Sequence, residues 1–301
     1  MKVSRSFVVS AGIAGAASAL ATRRNALHVP RSAWWAAAAA GAVIAANDAA
    51  GKPVPFLRWS ILRMAAGQKH LLREWQVGDG REQALADYVT TRARPGDLDD
   101  AIRLIDEFCH RKSFMINIGD EKGEILDAAV RRVQPGVLLE LGTYCGYSAL
   151  RMARAMPPGA RLYSIEFNAD NAAIARRIWQ HAGIAERVTA VVGTLGDDGQ
   201  TLRRLREEHG FGPGGVDLVF IDHAKEEYLP DLERIRAAGW LHPGSVVVAD
   251  NVQFPGAPEY RAYMRAQEGT GWRTIEHPTH AEYQSLVKDL VLESEYLHGS
   301  C

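Results

Sequence analysis

The stretch Val216-Asp217-Leu218-Val219-Phe220-Ile221-Asp222-His223 is a burst of Val, Leu, Phe and Ile that ends on a hard oxygen ligand, and Val246-Val247-Val248-Ala249-Asp250-Asn251 repeats the pattern. Continuous apolar residues followed by a polar one mark a parallel strand that is buried on both faces and then leaves the sheet. In open α/β sheets the chemistry gathers at those carboxyl ends. Asp222, Asp250 and Asn251 are therefore expected to meet as an all-oxygen site suited to Mg²⁺.

Working outward, the same kind of run predicts strands over 137–142, 161–167, 188–193, 216–222 and 245–251. Helical patterns lie between them over 146–156, 169–181, 196–208 and 229–238. Strands that alternate with helices give βαβ units and a parallel sheet with right-handed crossovers. Upstream, helices are expected over 68–92, over 98–111 after a Pro95-Gly96-Asp97 cap, and over 121–133 before Gln134-Pro135-Gly136. Weaker strand patterns cover 273–276 and 290–296.

The chain has 301 residues, 47% hydrophobic and 24% charged, enough for one large α/β domain with an appendage. Lys and Arg total 35 against 36 Asp and Glu, so nothing in the charge argues for nucleic acid. Cys109, Cys145 and Cys301 are too few and too far apart for a disulfide framework or a zinc site, which fits a reducing compartment for the catalytic part.

The N-terminus differs in kind. Residues 1–67 read as an apolar extension and linker, and 68–301 as the catalytic domain. Two uncharged Ala-rich runs, 6–21 and 32–47, flank Thr22-Arg23-Arg24. Each is shorter than the ~20 apolar residues of a usual spanning helix. Three readings stand: a membrane anchor, a targeting segment cut after Ala19-Leu20-Ala21, or an Ala-rich extension. The pair Trp34-Trp35 beside Arg31 favours the anchor, which would tether a cytoplasmic catalytic domain.

Val137-Leu138-Leu139-Glu140-Leu141-Gly142-Thr143-Tyr144-Cys145-Gly146-Tyr147-Ser148 is a strand–turn–helix. Glycines there let the backbone approach a ligand at a helix N-terminus. Glu166, with Phe167 beside it, ends the second strand, where an acid binds two ribose hydroxyls. The loop lacks Gly-x-Gly-x-x-Gly, so a nicotinamide dehydrogenase is disfavoured. Glu140 before the first glycine suits a cationic cofactor such as S-adenosylmethionine. The plainer alternative is that Gly142 and Gly146 serve packing and Glu166 is a surface carboxylate. Lys225, three residues past Asp222, is the candidate general base, since a partly desolvated lysine near a cation loses its proton more easily. Its plainer alternative is a solvated surface charge, as Asp250-Asn251 could be a turn or helix cap.

These residues resemble a known family. Over residues 78–296 the chain is similar to the catechol O-methyltransferases, class I Mg²⁺-dependent enzymes that use S-adenosylmethionine. The motifs that carry this are Met115-Ile116-Asn117-Ile118-Gly119-Asp120-Glu121-Lys122-Gly123, Leu139 to Ser148, Phe220-Ile221-Asp222-His223, and Ala249-Asp250-Asn251-Val252-Gln253-Phe254-Pro255-Gly256-Ala257-Pro258. The resemblance implies a Rossmann-like methyltransferase fold: a mostly parallel seven-stranded sheet, helices on both faces, and an N-terminal helical extension. It implies Mg²⁺ on Asp222, Asp250 and Asn251, Lys225 as base, and Glu282 holding the second catechol hydroxyl. Asn117, Ile118, Glu140, Gly142, Tyr144, Ser148, Glu166, Phe167, Asp222 and His223 would surround the cofactor. It also brings a membrane-bound form with an N-terminal anchor. The family's usual tryptophan after the metal-site histidine is Ala224 here, a second gating tryptophan is Phe114, and the Ser-Gln pair near adenine is Leu195-Gly196. The expected activity is methyl transfer from S-adenosylmethionine to one hydroxyl of a catechol, with small molecules rather than nucleic acid as partners. The alternatives are a broader phenolic or vicinal-diol methyltransferase and a membrane-tethered S-adenosylmethionine-binding protein with weak catalysis.

Overall fold

The computed structural model describes residues 31–50, 54, 57–74 and 76–298. The chain divides into two units, Met1–Trp59 and Ser60–Cys301. In the first, the apolar run over 32–47 lies in helix α1 (Arg31–Ala49), closed by the Asn47 side chain, which bonds both backbone groups of Val54. Trp34 and Trp35 are exposed. No helix among the described residues is long and apolar enough to cross a membrane. The run over 6–21 lies outside the described residues.

The second unit carries a seven-stranded sheet in the order β3-β2-β1-β4-β5-β7-β6. Its strands are β1 (Val137–Leu141), β2 (Arg161–Glu166), β3 (Val188–Val192), β4 (Val216–Ile221), β5 (Leu241–Ala249), β6 (Trp272–His280) and β7 (Lys288–Tyr296). The first five are parallel, and β7 and β6 close the edge antiparallel. Helices α2 (Trp59–Ala66) and α3 (Gln68–Glu74) precede α4 (Arg81–Arg92), α5 (Leu98–Arg111) and α6 (Gly119–Val133). Next come α7 (Tyr147–Ala155), α8 (Ala169–His181), α9 (Gln200–His209), α10 (Tyr228–Ala237) and α11 (Pro258–Ala266).

Side chains alternate across each strand, so one sequence run feeds two cores. Leu138, Leu162, Leu218, Phe220 and Val248 pack with α4 to α8. Leu139, Leu141, Ile165, Val219, Ile221 and Val247 pack with α9 to α11. Phe220 is wholly buried, and truncating such a residue to Ala costs about 3–5 kcal/mol.

The chain builds outward from β1 to β3, then returns to place β4 on the other side of β1. Loops diverge at that reversal and leave a crevice above the strand ends. Gly142 (φ +102°) makes the junction tight: a Cβ there would lie 2.2 Å from the Asp222 carbonyl oxygen. Gly146 (φ +81°) lies against Trp179, whose Nε1 donates to its carbonyl at 2.9 Å.

The expected 68–92 helix is two helices. Gly78 and Gly80 both have positive φ, and Asp79 pairs with Arg81, so the chain turns instead of continuing. The linker stretch before Gly67 contains α2, an amphipathic helix that Pro53 and Pro55 obscured in the sequence. Helix α9 begins at Gln200 rather than 196, because Asp198 and Gly199 both adopt left-handed backbone. Strand β6 is longer than 273–276 because it pairs in register with β7 over its whole length. The Asp97 cap is as expected, its side chain accepting from Asp100 N at 2.9 Å.

Candidate active site

A cleft of about 580 Å³ opens at the carboxyl ends of β1, β2 and β4. Of the expected residues, Asn117, Ile118, Gly142, Tyr144, Ser148, Glu166, Phe167, Asp222, His223, Lys225, Asn251 and Glu282 line it. Glu140 and Asp250 do not reach its wall; both are fully buried just behind.

At one end stands Glu166, which is 4% exposed and so is no surface carboxylate. Tyr144 N donates to its Oε2 at 2.8 Å and Asn168 N to its Oε1 at 2.9 Å. Burial pushes its pKa up, and those amides pull the other way. Tyr144 holds φ +46°, an uncommon conformation for a bulky residue, and its hydroxyl donates to Glu82 Oε1 at 2.9 Å. Asn117 Oδ1 accepts from Gly119 N at 3.0 Å and so shapes the approach loop. The glycines of the β1–α7 turn thus have packing roles, while the turn also brings Tyr144 and Ser148 to the cleft.

Glu140 sits one layer deeper. The hydroxyls of Ser148 and Ser164 both donate to its carboxyl group, and burial pushes its pKa up to about 8. Its link to the cleft runs through Ser148.

His223 stacks on Tyr228 at 5.3 Å between ring centres, and its Nε2 lies 2.8 Å from Asp231 Oδ2. Leu195, Gly196, Ala224 and Arg234 complete this side. Arg234 is an unforeseen member, held by Glu227 at 2.9 Å and by Asp231. A Cβ on Gly196 would lie 3.5 Å from its guanidinium.

At the other end, Lys225 Nζ donates to Asp222 Oδ1 at 3.0 Å, Asn251 Oδ1 at 3.3 Å and the Tyr228 hydroxyl at 2.5 Å. The Tyr228 hydroxyl donates in turn to the Asp250 carbonyl at 3.0 Å. Lys225 is therefore no solvated surface charge. Asn251 holds φ +54° and directs its Nδ2 to Glu282 Oε1 and Asp289 Oδ2, both at 2.8 Å. Lys122 lies behind this row, 2.8 Å from Asp250, 2.6 Å from Glu282 and 3.1 Å from Asp289. These carboxylates hold its ammonium against the cost of burial, and its pKa is raised. Burial raises the pKa of Asp250, with Lys122 opposing.

The donor set fits a hard divalent cation. Asp250 Oδ2 is buried and accepts no well-directed hydrogen bond, although Lys122 stands beside it. Asp222 Oδ1 and Asn251 Oδ1 already converge on one cation, the Lys225 ammonium. Among the described residues no cluster of three or more acid, His or Cys side chains forms a metal cage. Two carboxylates and an amide would leave the remaining positions to water or substrate, which is how Mg²⁺ is usually held.

Lys122 and Asp289 escaped the sequence reading of the site. Lys122 carried a signal: it falls on the apolar stripe of α6 with Leu126 and Val130. Asp289 carried none.

Sheet order, reversal crevice and the buried acid that ends β2 define a Rossmann-like methyltransferase fold. The family described as O-methyltransferase matches residues 100–266. A probable O-methyltransferase of Mycobacterium tuberculosis is 61% identical over 234 residues, 78% of this chain and all of that protein. Mouse catechol O-methyltransferase is 38% identical over 214 residues, 71% of this chain and 78% of that one. The crystal structure of the Streptomyces achromogenes O-methyltransferase TomG in complex with S-adenosylmethionine shares the fold, at 23% identity and a TM-score of 0.53. That match covers 73% of this chain and 99% of TomG. The chain belongs to the O-methyltransferase family, in its catechol O-methyltransferase-like branch, and is an S-adenosylmethionine-dependent O-methyltransferase.

Proposed function

We propose that the protein transfers the methyl group of S-adenosylmethionine to one hydroxyl of a catechol, with Mg²⁺ as the second cofactor. One observation carries this reading: Lys225 Nζ stands between Asp222 Oδ1 and Asn251 Oδ1, in the same cleft that Glu166 enters from the other end. Asp222, Asp250 and Asn251 would hold the metal. When bound, Mg²⁺ supplies a chelating Lewis acid for two neighbouring oxygens, and S-adenosylmethionine supplies a methyl group on a positively charged sulfur.

The protein's own residues do the rest. Glu166 accepts from the ribose hydroxyls, and Tyr144 and Ile118 fix the direction of approach. Lys225, in its neutral form, takes the proton from the reacting hydroxyl. Glu282 accepts a hydrogen bond from the second hydroxyl, held in place by Lys122 Nζ at 2.6 Å. Phe114, Phe254 and Pro255 line the same cleft and shed water from it. An oxyanion and a sulfonium lose their charges together in the transition state, so a dry, pre-aligned cleft favours the reaction.

A second reading keeps the chemistry and widens the acceptor. Ala224 and Phe114 leave room beside the metal site, and Phe254 is half exposed, so larger vicinal diols would also fit. The deciding experiment incubates the full chain with S-adenosylmethionine and 3,4-dihydroxybenzoate, with Mg²⁺ or EDTA, beside 4-hydroxybenzoate. Mass spectrometry should show methylation of the diol alone, abolished by EDTA. Methylation of the monophenol would refute the chelate, and EDTA-resistant product would refute the metal. We further propose that the run over 6–21 associates with membranes, which carbonate extraction of membrane fractions would test.

A further inference from the structure

We propose that Asp289 and Lys122 are positioning residues for the metal site, fixing which atom of the Asn251 side chain faces the cation. The inference rests on the Mg²⁺ reading above. Asp289 lies in β7 and is 2% exposed; Lys122 lies in α6 and is 1% exposed. Asp289 uses both oxygens: Oδ1 accepts from Phe254 N at 2.9 Å, and Oδ2 accepts from Asn251 Nδ2 at 2.8 Å and Lys122 Nζ at 3.1 Å. Glu282 Oε1 accepts from the same two donors, at 2.8 and 2.6 Å.

An amide is nearly symmetric in shape, and only its hydrogen bonds decide which end is which. Two carboxylate oxygens on one side of Asn251 demand the NH₂ there, so Oδ1 must face Asp222. Without them the NH₂ could turn toward the cation, offering two donors where a ligand is required. Lys122 allows this acidic backing to exist in a buried place. Its ammonium pairs with Asp250, Glu282 and Asp289, while Lys225 pairs with Asp222.

Asp289→Asn tests the idea with little change of shape. If the new amide keeps its oxygen on Phe254 N, its NH₂ meets the NH₂ of Asn251 and the Lys122 ammonium. Asn251, still bonded to Glu282 Oε1 at 2.8 Å, then loses its second acceptor and faces a competing donor, so its orientation is no longer fixed. Mn²⁺ binding to the full chain is read by electron paramagnetic resonance, with S-adenosylhomocysteine affinity and thermal melting as controls on folding. Loss of a partner that orients a metal ligand typically weakens affinity by about 10- to 100-fold, and that loss is expected for Asp289→Asn with homocysteine-nucleoside affinity kept. In an Asn251→Ala background, where no amide is left to orient, Asp289→Asn should cost less than about threefold further, which a purely electrostatic or structural role for Asp289 would not produce. Should Asp289→Asn fail to fold, Asp289→Ala is carried through the same cycle. Wild-type affinity in the Asp289 variant, or an equal loss in both backgrounds, overturns the proposal. A wild-type chain that binds no Mn²⁺ overturns the metal reading beneath it.

Discussion

Glu140→Gln should flatten the pH dependence of stability. Glu140 is fully buried, and its pKa lies at about 8 against 4.5 for a free side chain, with burial as the main cause. The unfolded chain therefore releases this proton above pH 4.5, while the folded chain keeps it until about pH 8. In that window the native state binds more protons, so this group's contribution to stability falls as pH rises. Each unit is worth 1.36 kcal/mol, so the full window amounts to about 5 kcal/mol. Between pH 5.5 and 7.5 the share is about 3 kcal/mol, or roughly 6–12 °C in melting temperature for a domain of this size. A glutamine preserves the shape and can still bond the hydroxyls of Ser148 and Ser164, but it has no proton to lose. Thermal melts of both proteins across this range should diverge, with the variant's advantage growing by that margin from pH 5.5 to pH 7.5. Parallel curves would mean that Glu140 ionises in the folded protein as it does in water, despite its burial.

Lys225→Met should lower turnover by on the order of 10²-fold or more with S-adenosylhomocysteine affinity unchanged, as removal of a general base does; single-turnover kinetics beside calorimetry separate the two. Glu166→Gln should weaken S-adenosylhomocysteine binding by about 10- to 100-fold, since hydrogen bonds to a charged acceptor are worth about 1.5–3 kcal/mol; calorimetry reads this directly. Gly142→Ala places a Cβ 2.2 Å from the Asp222 carbonyl oxygen, so a sharply lower melting temperature, or insoluble protein, is expected; a melting point near wild type would show that the β1–β4 junction can give way.

The parallel half of the sheet was readable because burial on both faces leaves unbroken apolar runs such as Val246-Val247-Val248. The acids that end those runs were readable for the same reason. What escaped depends on partners distant in sequence. Helix α2 is short, and Ser60 gains its place by accepting from Arg81 Nη2 with its carbonyl at 2.6 Å and from Phe114 N with its hydroxyl at 3.1 Å. Strand β6 exceeds its apolar pattern because its pairing with β7, not its own side chains, sets its length. Glu140 was legible as an unusual acid but not as a second-layer one, since Ser164, which shields it, comes from the neighbouring strand.

The cleft is assembled from two sources that the sheet keeps apart. Glu166, Tyr144 and Ser148 come from the parallel half, where each strand is tied to helices on both sides. Glu282 comes from the turn that joins the antiparallel strands β6 and β7 at the sheet's edge. An edge hairpin can be lengthened, shortened or recomposed without disturbing the parallel strands at the other end of the cleft. Changes around 281–287 can therefore alter one end of the cleft while the other stays under the constraint of the core. Through Glu282 such an edit reaches Asn251 and Lys122, while the strand ends that carry Glu166, Tyr144 and Ser148 keep their own supports.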